Sequence, residues 1–237
     1  MLMYLLLLSP AMIFAMWAQW RVKHTYAQAQ AIPAASRMSG AEAAHMLMRA
    51  YGISNVGIEE SHGMLSDHYD PKAKMLRLSS DVYHGHSVAS LGIAAHEAGH
   101  AIQDATNYLP LRFRNGIVGF AMVGGNFAWI LIMAGAAMAA AGAMGGIGKW
   151  IMFAGIGLFS ITVLFQLINL PVEFDASKRA RQLLTSAGIV QQGDEFKAMD
   201  RVLSAAAMTY VAATVSAALT LLYYLIQSGI LGGSRER

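Results

Sequence analysis

The sequence predicts a mainly α-helical membrane protein, with four transmembrane helices and a small α+β region that contains a β-hairpin. Three observations point there. Of the 237 residues, 56% are hydrophobic and only 13% are charged, whereas soluble domains carry about 25% charged residues. The apolar residues are gathered into blocks near the ~20 residues that a bilayer core about 30 Å thick requires. The Lys and Arg residues sit beside those blocks, as topology signals do. For that reason the pI of 9.2 is read as a membrane signature, and no nucleic-acid partner is expected. The chain has no cysteine, which excludes disulfides and thiolate metal sites, so any metal site must use His, Asp or Glu.

The first span covers residues 2–20 and holds no charge; Arg21 and Lys23 follow at once. A cleavable signal peptide with Ala27-Gln28-Ala29 at the cut is the competing reading. The run is long for one, however, and its positive charges come after it rather than before it.

Residues 21–115 form a polar region. Ser39-Gly40-Ala41-Glu42 reads as a capping box, in which the Glu reaches back to the N-cap amide. Its helix runs through Ala43, Leu47 and Met48 and stops near Gly52. Residues 64–79 read as a β-hairpin turning at Asp70-Pro71-Lys72-Ala73, with Met75, Leu76 and Leu78 in the second strand. A further helix is expected from about Ser87 to Thr106.

A membrane hairpin follows at 116–170, its apolar blocks at about 117–142 and 148–170 joined by Gly145-Gly146-Ile147-Gly148. Gly142 and Gly146 are spaced like a close-packing pair. Residues 171–205 form a second polar segment, with a separate helix from Pro171 to Ala187 ending at Gly188, and the last span lies at 206–228. The two polar regions hold 14 of the 17 Lys and Arg residues. The rule that positive loops stay inside therefore places both in the cytoplasm and the tail Ser234-Arg235-Glu236-Arg237 outside.

His96-Glu97-Ala98-Gly99-His100 is an H-E-x-x-H motif. On a helix, residues four apart share a face, so two imidazoles can grip one zinc ion. Glu97 is rotated about 100° from His96. It can serve as general base toward a water that zinc acidifies to a pKa of about 7. Gly99 costs about 1 kcal/mol in a helix relative to Ala, which is tolerable if another element packs closely there. A catalytic zinc takes three protein ligands and keeps a fourth position open. Glu173, Asp175, Asp104, His84 and His86 are candidates for the third. Glu173 is favoured because two spans separate it from His100, which returns it to the same side of the membrane. Its alternative reading is a helix N-terminal charge. Asp104 either orients a histidine or is solvated. His84-Gly85-His86 reads more readily as a surface pair, and Tyr69, Tyr83 and Arg179 carry no assigned role.

The run Leu76-Arg77-Leu78-Ser79, Asp81-Val82-Tyr83 and Ala94 to Gln103, together with Asn169-Leu170-Pro171-Val172-Glu173-Phe174-Asp175-Ala176-Ser177, resembles the YugP-type bacterial membrane zinc metallopeptidases, which are related to the HtpX and Ste24 class. The resemblance covers nearly the whole chain. It implies a zincin-like catalytic region and a gluzincin-like donor set, with zinc held by His96, His100 and Glu173 and with Glu97 catalytic. It also implies a multi-pass protein of the bacterial inner membrane acting on protein or peptide substrates. In the wider class an Asp four residues after the ligand Glu supports the site. Here Ser177 holds that place, and Asp175, two residues after the Glu, does not share its face. The class also implies that strand 75–79 pairs with an extended substrate as a sheet edge.

The expected function is hydrolysis of peptide bonds in membrane or misfolded proteins. Two alternatives stand beside it. One is an intramembrane protease with H-E-x-x-H inside a span, and the other is a zinc-stabilised scaffold that would not need Glu97.

Overall fold

The computed structural model describes residues 2–63, 66–142 and 146–231, with side chains from Leu6 onward. The first two residues of the expected hairpin (64 and 65), Gly145 and the tail 234–237 lie outside the described residues. The elements run α1 (Leu2–Gln30), α2 (Gly40–Ala50), β1 (Gly57–Ser61), β2 (His68–Asp70), β3 (Met75–Ser79), α3 (Ser80–Tyr83), α4 (Val88–Ala105), α5 (Leu109–Ala140), α6 (Ile147–Ser186) and α7 (Asp194–Gln227). The chain forms two compact units. One comprises Met1–Met16, Phe113–Asn169 and Tyr210–Arg237, and the other Trp17–Arg112 and Leu170–Thr209.

The first unit is built from long apolar helical segments. Among the described residues, α5, α6 and α7 are long and apolar enough to cross a membrane. Large side chains such as Phe120, Phe127, Trp129, Trp150 and Leu167 are exposed outward, as expected where lipid replaces a protein partner. Ile132, Met152 and Ile156 form a small core with Leu221, Tyr224 and Leu225 packed on it. The close approach of α5 and α6 is made by Gly135, Gly148 and Gly155. A Cβ on Gly135 would lie 2.4 Å from the Met152 nitrogen. Gly142 and Gly146 are not the packing pair their spacing suggests. Both have positive φ (64° and 96°) and nothing within 4 Å of an added Cβ. They shape the connection between the helices, a conformation glycine adopts without a Cβ clash.

The second unit holds the polar regions. Ser39 caps α2 with the expected reciprocal pair: Glu42 N–H donates to Ser39 Oγ at 3.2 Å, and Ser39 N–H donates to Glu42 Oε2 at 2.8 Å. The sheet has the order β1-β3-β2. β2 pairs antiparallel with β3 across the expected turn, and β1 pairs parallel with β3. β3 is therefore the central strand, and both its edges are already hydrogen-bonded. This overturns the expectation that residues 75–79 offer an edge to substrate; β1 and β2 are the edge strands. Strand β1 escapes sequence reading because it is mostly exposed and Ile58 is its one aliphatic residue.

Alternation on β3 is regular. Leu76 and Leu78 are fully buried, while Arg77 emerges on the other face to pair with Glu59 of β1 and Asp70 of β2. The buried face meets Ala94, Ala98, Ala101 and Ile102 of α4. The other side of α4 presents Val88, Leu91 and Ala95 to a core that includes Ala180 and Leu184 of α6 and Met199 and Val202 of α7. Helix α4 is thus covered nearly all round, which is why its sequence is largely apolar away from His96, Glu97, His100, Gln103 and Asp104.

Two expected boundaries are absent. α6 is one helix from Ile147 to Ser186 with Pro171 inside it, not a span followed by a new helix at Pro171. Proline removes one N–H and crowds the carbonyl four residues back. The residues beyond it still keep a buried row at Val172, Ala176, Ala180 and Leu184, and that packing carries the helix through. Likewise α7 begins at Asp194 and runs unbroken to Gln227. Glu173 is consequently a mid-helix residue, which removes its reading as a helix N-terminal charge.

Candidate metal centre

Helix α4 starts at Ser87, whose hydroxyl accepts from the Ser90 N–H at 3.1 Å. Two turns later it presents His96 and His100 on one side, their rings 4.8 Å apart and nearly perpendicular (82°). Helix α6 passes against this segment at Gly99, where an added Cβ would lie 2.9 Å from the Ala176 carbonyl oxygen and 3.2 Å from the Ala176 Cα. The glycine that weakens α4 is therefore what admits the second helix, as its presence in the motif suggests. Glu173 lies one turn before Ala176 on the face thus brought close.

The three side chains converge. Glu173 Oε2 is 3.3 Å from His96 Nε2 and 3.5 Å from His100 Nε2. One ligand atom from each of the three lies within 4.8 Å of the others. A tetrahedral zinc with arms of about 2.0–2.2 Å sets its ligand atoms roughly 3.3–3.6 Å apart, so the donor set and both carboxylate–imidazole distances fit that ion. All three side chains are largely buried, with 13%, 10% and 5% of their surface exposed. Burial opposes the charge on Glu173, but the neighbouring imidazoles of His100 and His96 outweigh it and hold its carboxyl well below the usual range. Burial also opposes protonation of His100; the hydrogen bond and charge of Glu173 overcome it and raise the imidazole's pKa.

The far sides of the imidazoles are also engaged. Ser177 Oγ lies 3.1 Å from His96 Nδ1, so the residue in the place of the wider class's Asp contacts a ligand directly. His100 Nδ1 lies 3.0 Å from Gln103 Oε1. Gln103 Nε2 donates to Asp175 Oδ2 at 2.9 Å, and Arg179 Nε donates to the same oxygen at 2.6 Å. Asp175 thus reaches the site through Gln103 rather than by sharing a face with Glu173. Sequence reasoning missed Gln103; its only sign was one amide in an apolar helical run, three residues after a ligand.

Glu97 is 9% exposed and lies beside the ligands by its place on α4. Asp67, just before β2, is a second carboxyl in its field. Burial raises the Asp67 carboxyl above its usual range, the Ser79 N–H and hydroxyl oppose this, and the charge of Glu97 adds to it. Asp67 also ties β2 to the end of β3, accepting from Ser79 N–H at 2.8 Å.

The other candidates lie elsewhere. Asp104 neither orients a histidine nor stands in solvent: it accepts from Tyr69 Oη at 2.6 Å and pairs with Lys74, fastening α4 to the hairpin. Burial, and then this hydrogen bond, raise the Tyr69 phenol's pKa. His84 pairs with Glu60 and packs edge-on to Tyr83. His86 is exposed, its carbonyl taken by the Ala34 N–H. Arg179 lies over the Tyr108 ring.

Residues 4–229 match the family described as "Putative neutral zinc metallopeptidase". The chain is 37% identical over 225 residues to the "Putative membrane protease YugP" of Bacillus subtilis (strain 168), which spans 95% of this chain and 96% of that one. No solved structure matches it.

Proposed function

We propose, from the premise that this chain belongs to that family of neutral zinc metallopeptidases, that it is a multi-pass endopeptidase of the bacterial inner membrane. In this reading it hydrolyses membrane or misfolded proteins at His96, His100, Glu173 and Glu97. The observation that carries the reading is the convergence of two imidazole nitrogens on one carboxylate oxygen, at 3.3 and 3.5 Å from it, with a carboxylate at the second position of H-E-x-x-H. A zinc-stabilised scaffold would need the three ligands but not Glu97.

His96, His100 and Glu173 would hold the ion, a gluzincin-like set. Zinc, when bound, polarises the scissile carbonyl and acidifies a water. Glu97 takes the proton from the attacking water as the new C–O bond forms. It then delivers that proton to the amide nitrogen, and the C–N bond breaks with loss of the amine. The near-complete burial of α4 by the sheet, α2, α6 and α7 speaks against the intramembrane alternative, because protein rather than lipid accounts for its apolar surface.

The first span at 2–20 joins the three apolar helices to make four. The distribution of Lys and Arg supports a cytoplasmic position for the catalytic residues. The chain has no cysteine, so single cysteines report sidedness cleanly. Lys178→Cys should resist an impermeant maleimide in intact cells and Lys149→Cys should react; the reverse pattern would invert the topology.

The decisive experiment measures zinc content and casein cleavage in detergent. Glu97→Gln should retain zinc and lose activity by about 10²–10⁴-fold, while Glu173→Ala should lose zinc. Cleavage that survives Glu97→Gln would remove the peptidase assignment of this site.

A further inference from the structure

We infer that Gln103 is a positioning residue that fixes His100 in the tautomer whose Nε2 is free to bind zinc, and that it fastens the two ligand helices together beside Glu173. The inference rests on the metal-site reading above and goes beyond its three ligands and base.

Gln103 is fully buried, and every polar atom of its amide is engaged. The nitrogen end donates to the Val172 carbonyl at 2.8 Å and to Asp175 Oδ2 at 2.9 Å. Both partners are acceptors only, and Asp175 is also held by the Arg179 guanidinium. Turning the amide over would set its oxygen against two oxygens at those distances, so the orientation is determined by the network rather than chosen.

The oxygen end therefore faces His100 Nδ1 at 3.0 Å. An amide oxygen cannot donate, so Nδ1 must carry the proton. In a neutral imidazole that leaves the lone pair on Nε2, the atom turned toward Glu173. His96 has no such lock, because the Ser177 hydroxyl at its Nδ1 can either donate or accept. Val172 and Asp175 flank Glu173 in sequence on α6. The same side chain of α4 that selects the His100 tautomer thus also sets where the third ligand stands. Outer partners of metal-binding histidines typically contribute 10–100-fold in metal affinity.

The test uses the full chain in detergent, with zinc as the probe and two readouts. Zinc affinity is measured by chelator competition. The His100 Nδ1–H is followed by ¹⁵N-histidine NMR of the zinc-loaded protein, assigned through His100→Gln. Gln103→Met keeps the volume and removes the amide. It should bind zinc 10–100-fold more weakly, and the Nδ1–H should lose its protection from exchange. Asp175→Asn leaves Gln103 and its Val172 carbonyl partner in place but removes one of the two acceptor-only groups that set the amide's orientation, and should show a smaller loss of the same two kinds. If both variants bind zinc like the wild type with an unchanged Nδ1–H signal, the inference is overturned. If the wild type binds no zinc, the metal-site reading itself has failed.

Discussion

Replacing Gly99 by alanine should damage the site without touching a ligand. The added Cβ would lie 2.9 Å from the Ala176 carbonyl oxygen and 3.2 Å from the Ala176 Cα, and neither atom can move aside as a side chain could. Ordinary contact begins at 3.4 Å, so α4 and α6 must separate by roughly 0.5 Å, and α6 carries Glu173 one turn away. A metal constellation tolerates displacements of about 0.5 Å, so the ligand spacing is taken to its limit. Overpacking of this kind costs about 1–3 kcal/mol, partly offset by the ~1 kcal/mol that alanine gains in helix propensity. The expected result is a net loss of up to about 2 kcal/mol in the zinc-free protein and at least about tenfold weaker zinc binding. Thermal melting and chelator competition in detergent measure the two. Gly92→Ala on the same helix is the control: it has the same propensity gain, but its Cβ meets a side-chain atom, Met199 Cγ, at 3.1 Å, so its effect should be smaller. A Gly99→Ala protein that melts at or above the wild type and holds zinc equally well would refute the claim that these backbones touch.

Three further outcomes follow from the same geometry. Gly135→Val should separate α5 from α6, because its Cβ would sit 2.4 Å from the Met152 nitrogen and 2.6 Å from the Gly148 oxygen; faster thermal aggregation than for Gly157→Val, which meets nothing within 4 Å, would show it. Ser177→Ala should weaken zinc binding by about tenfold or less, since it takes the hydroxyl from His96 but leaves the His100 lock intact; a loss as large as that of Gln103→Met would contradict the asymmetry. Asp70 is held at a pKa of about 2 by the Ala73 N–H, Arg77 and the Lys72 N–H. Its depressed value means it stabilises the folded state above the unfolded pKa of about 3.9, and that contribution fades as pH falls from there through about 2. The melting difference between zinc-free wild type and Asp70→Asn should therefore be present at pH 6 and shrink toward pH 2.

Legibility in the sequence followed the range of the interactions. The capping box at Ser39 and Glu42, the turn at 70–73 and the limits of α4 all rest on contacts within four residues, and local patterns reached them. Strand β1 depends on Met75–Ser79 for its identity, so five mostly exposed residues gave no signal of their own. That pairing also means that a proline in strand 75–79 cannot test substrate pairing. Leu76→Pro would break the central strand of the sheet, so a rise in KM would report unfolding rather than lost substrate pairing. At the site, His96 and His100 are related by one helical turn and could be placed by spacing. Glu173 could be favoured by counting spans, and its selection was sharpened by resemblance. Ser177 was marked only by its place in the class pattern and Gln103 not at all, because their roles depend on how α4 is rotated against α6, a relation between residues 69 to 81 positions apart.

Glycine shows the limit most plainly, since one residue type answers two opposite needs. At Gly142 and Gly146 the backbone takes positive φ with nothing near an added Cβ. At Gly99, Gly135 and Gly148 another helix's backbone lies within 3 Å of the missing atom. A four-residue spacing is the ordinary sign of the second need, yet here it marked the first. What separates the cases is the partner. Gly99 could be read correctly only because it sits inside a ligand helix that must meet the element bearing the third ligand. A glycine inside H-E-x-x-H thus carries information about the other half of the site: the chemistry requires a second helix close by, and the absent Cβ indicates where it passes.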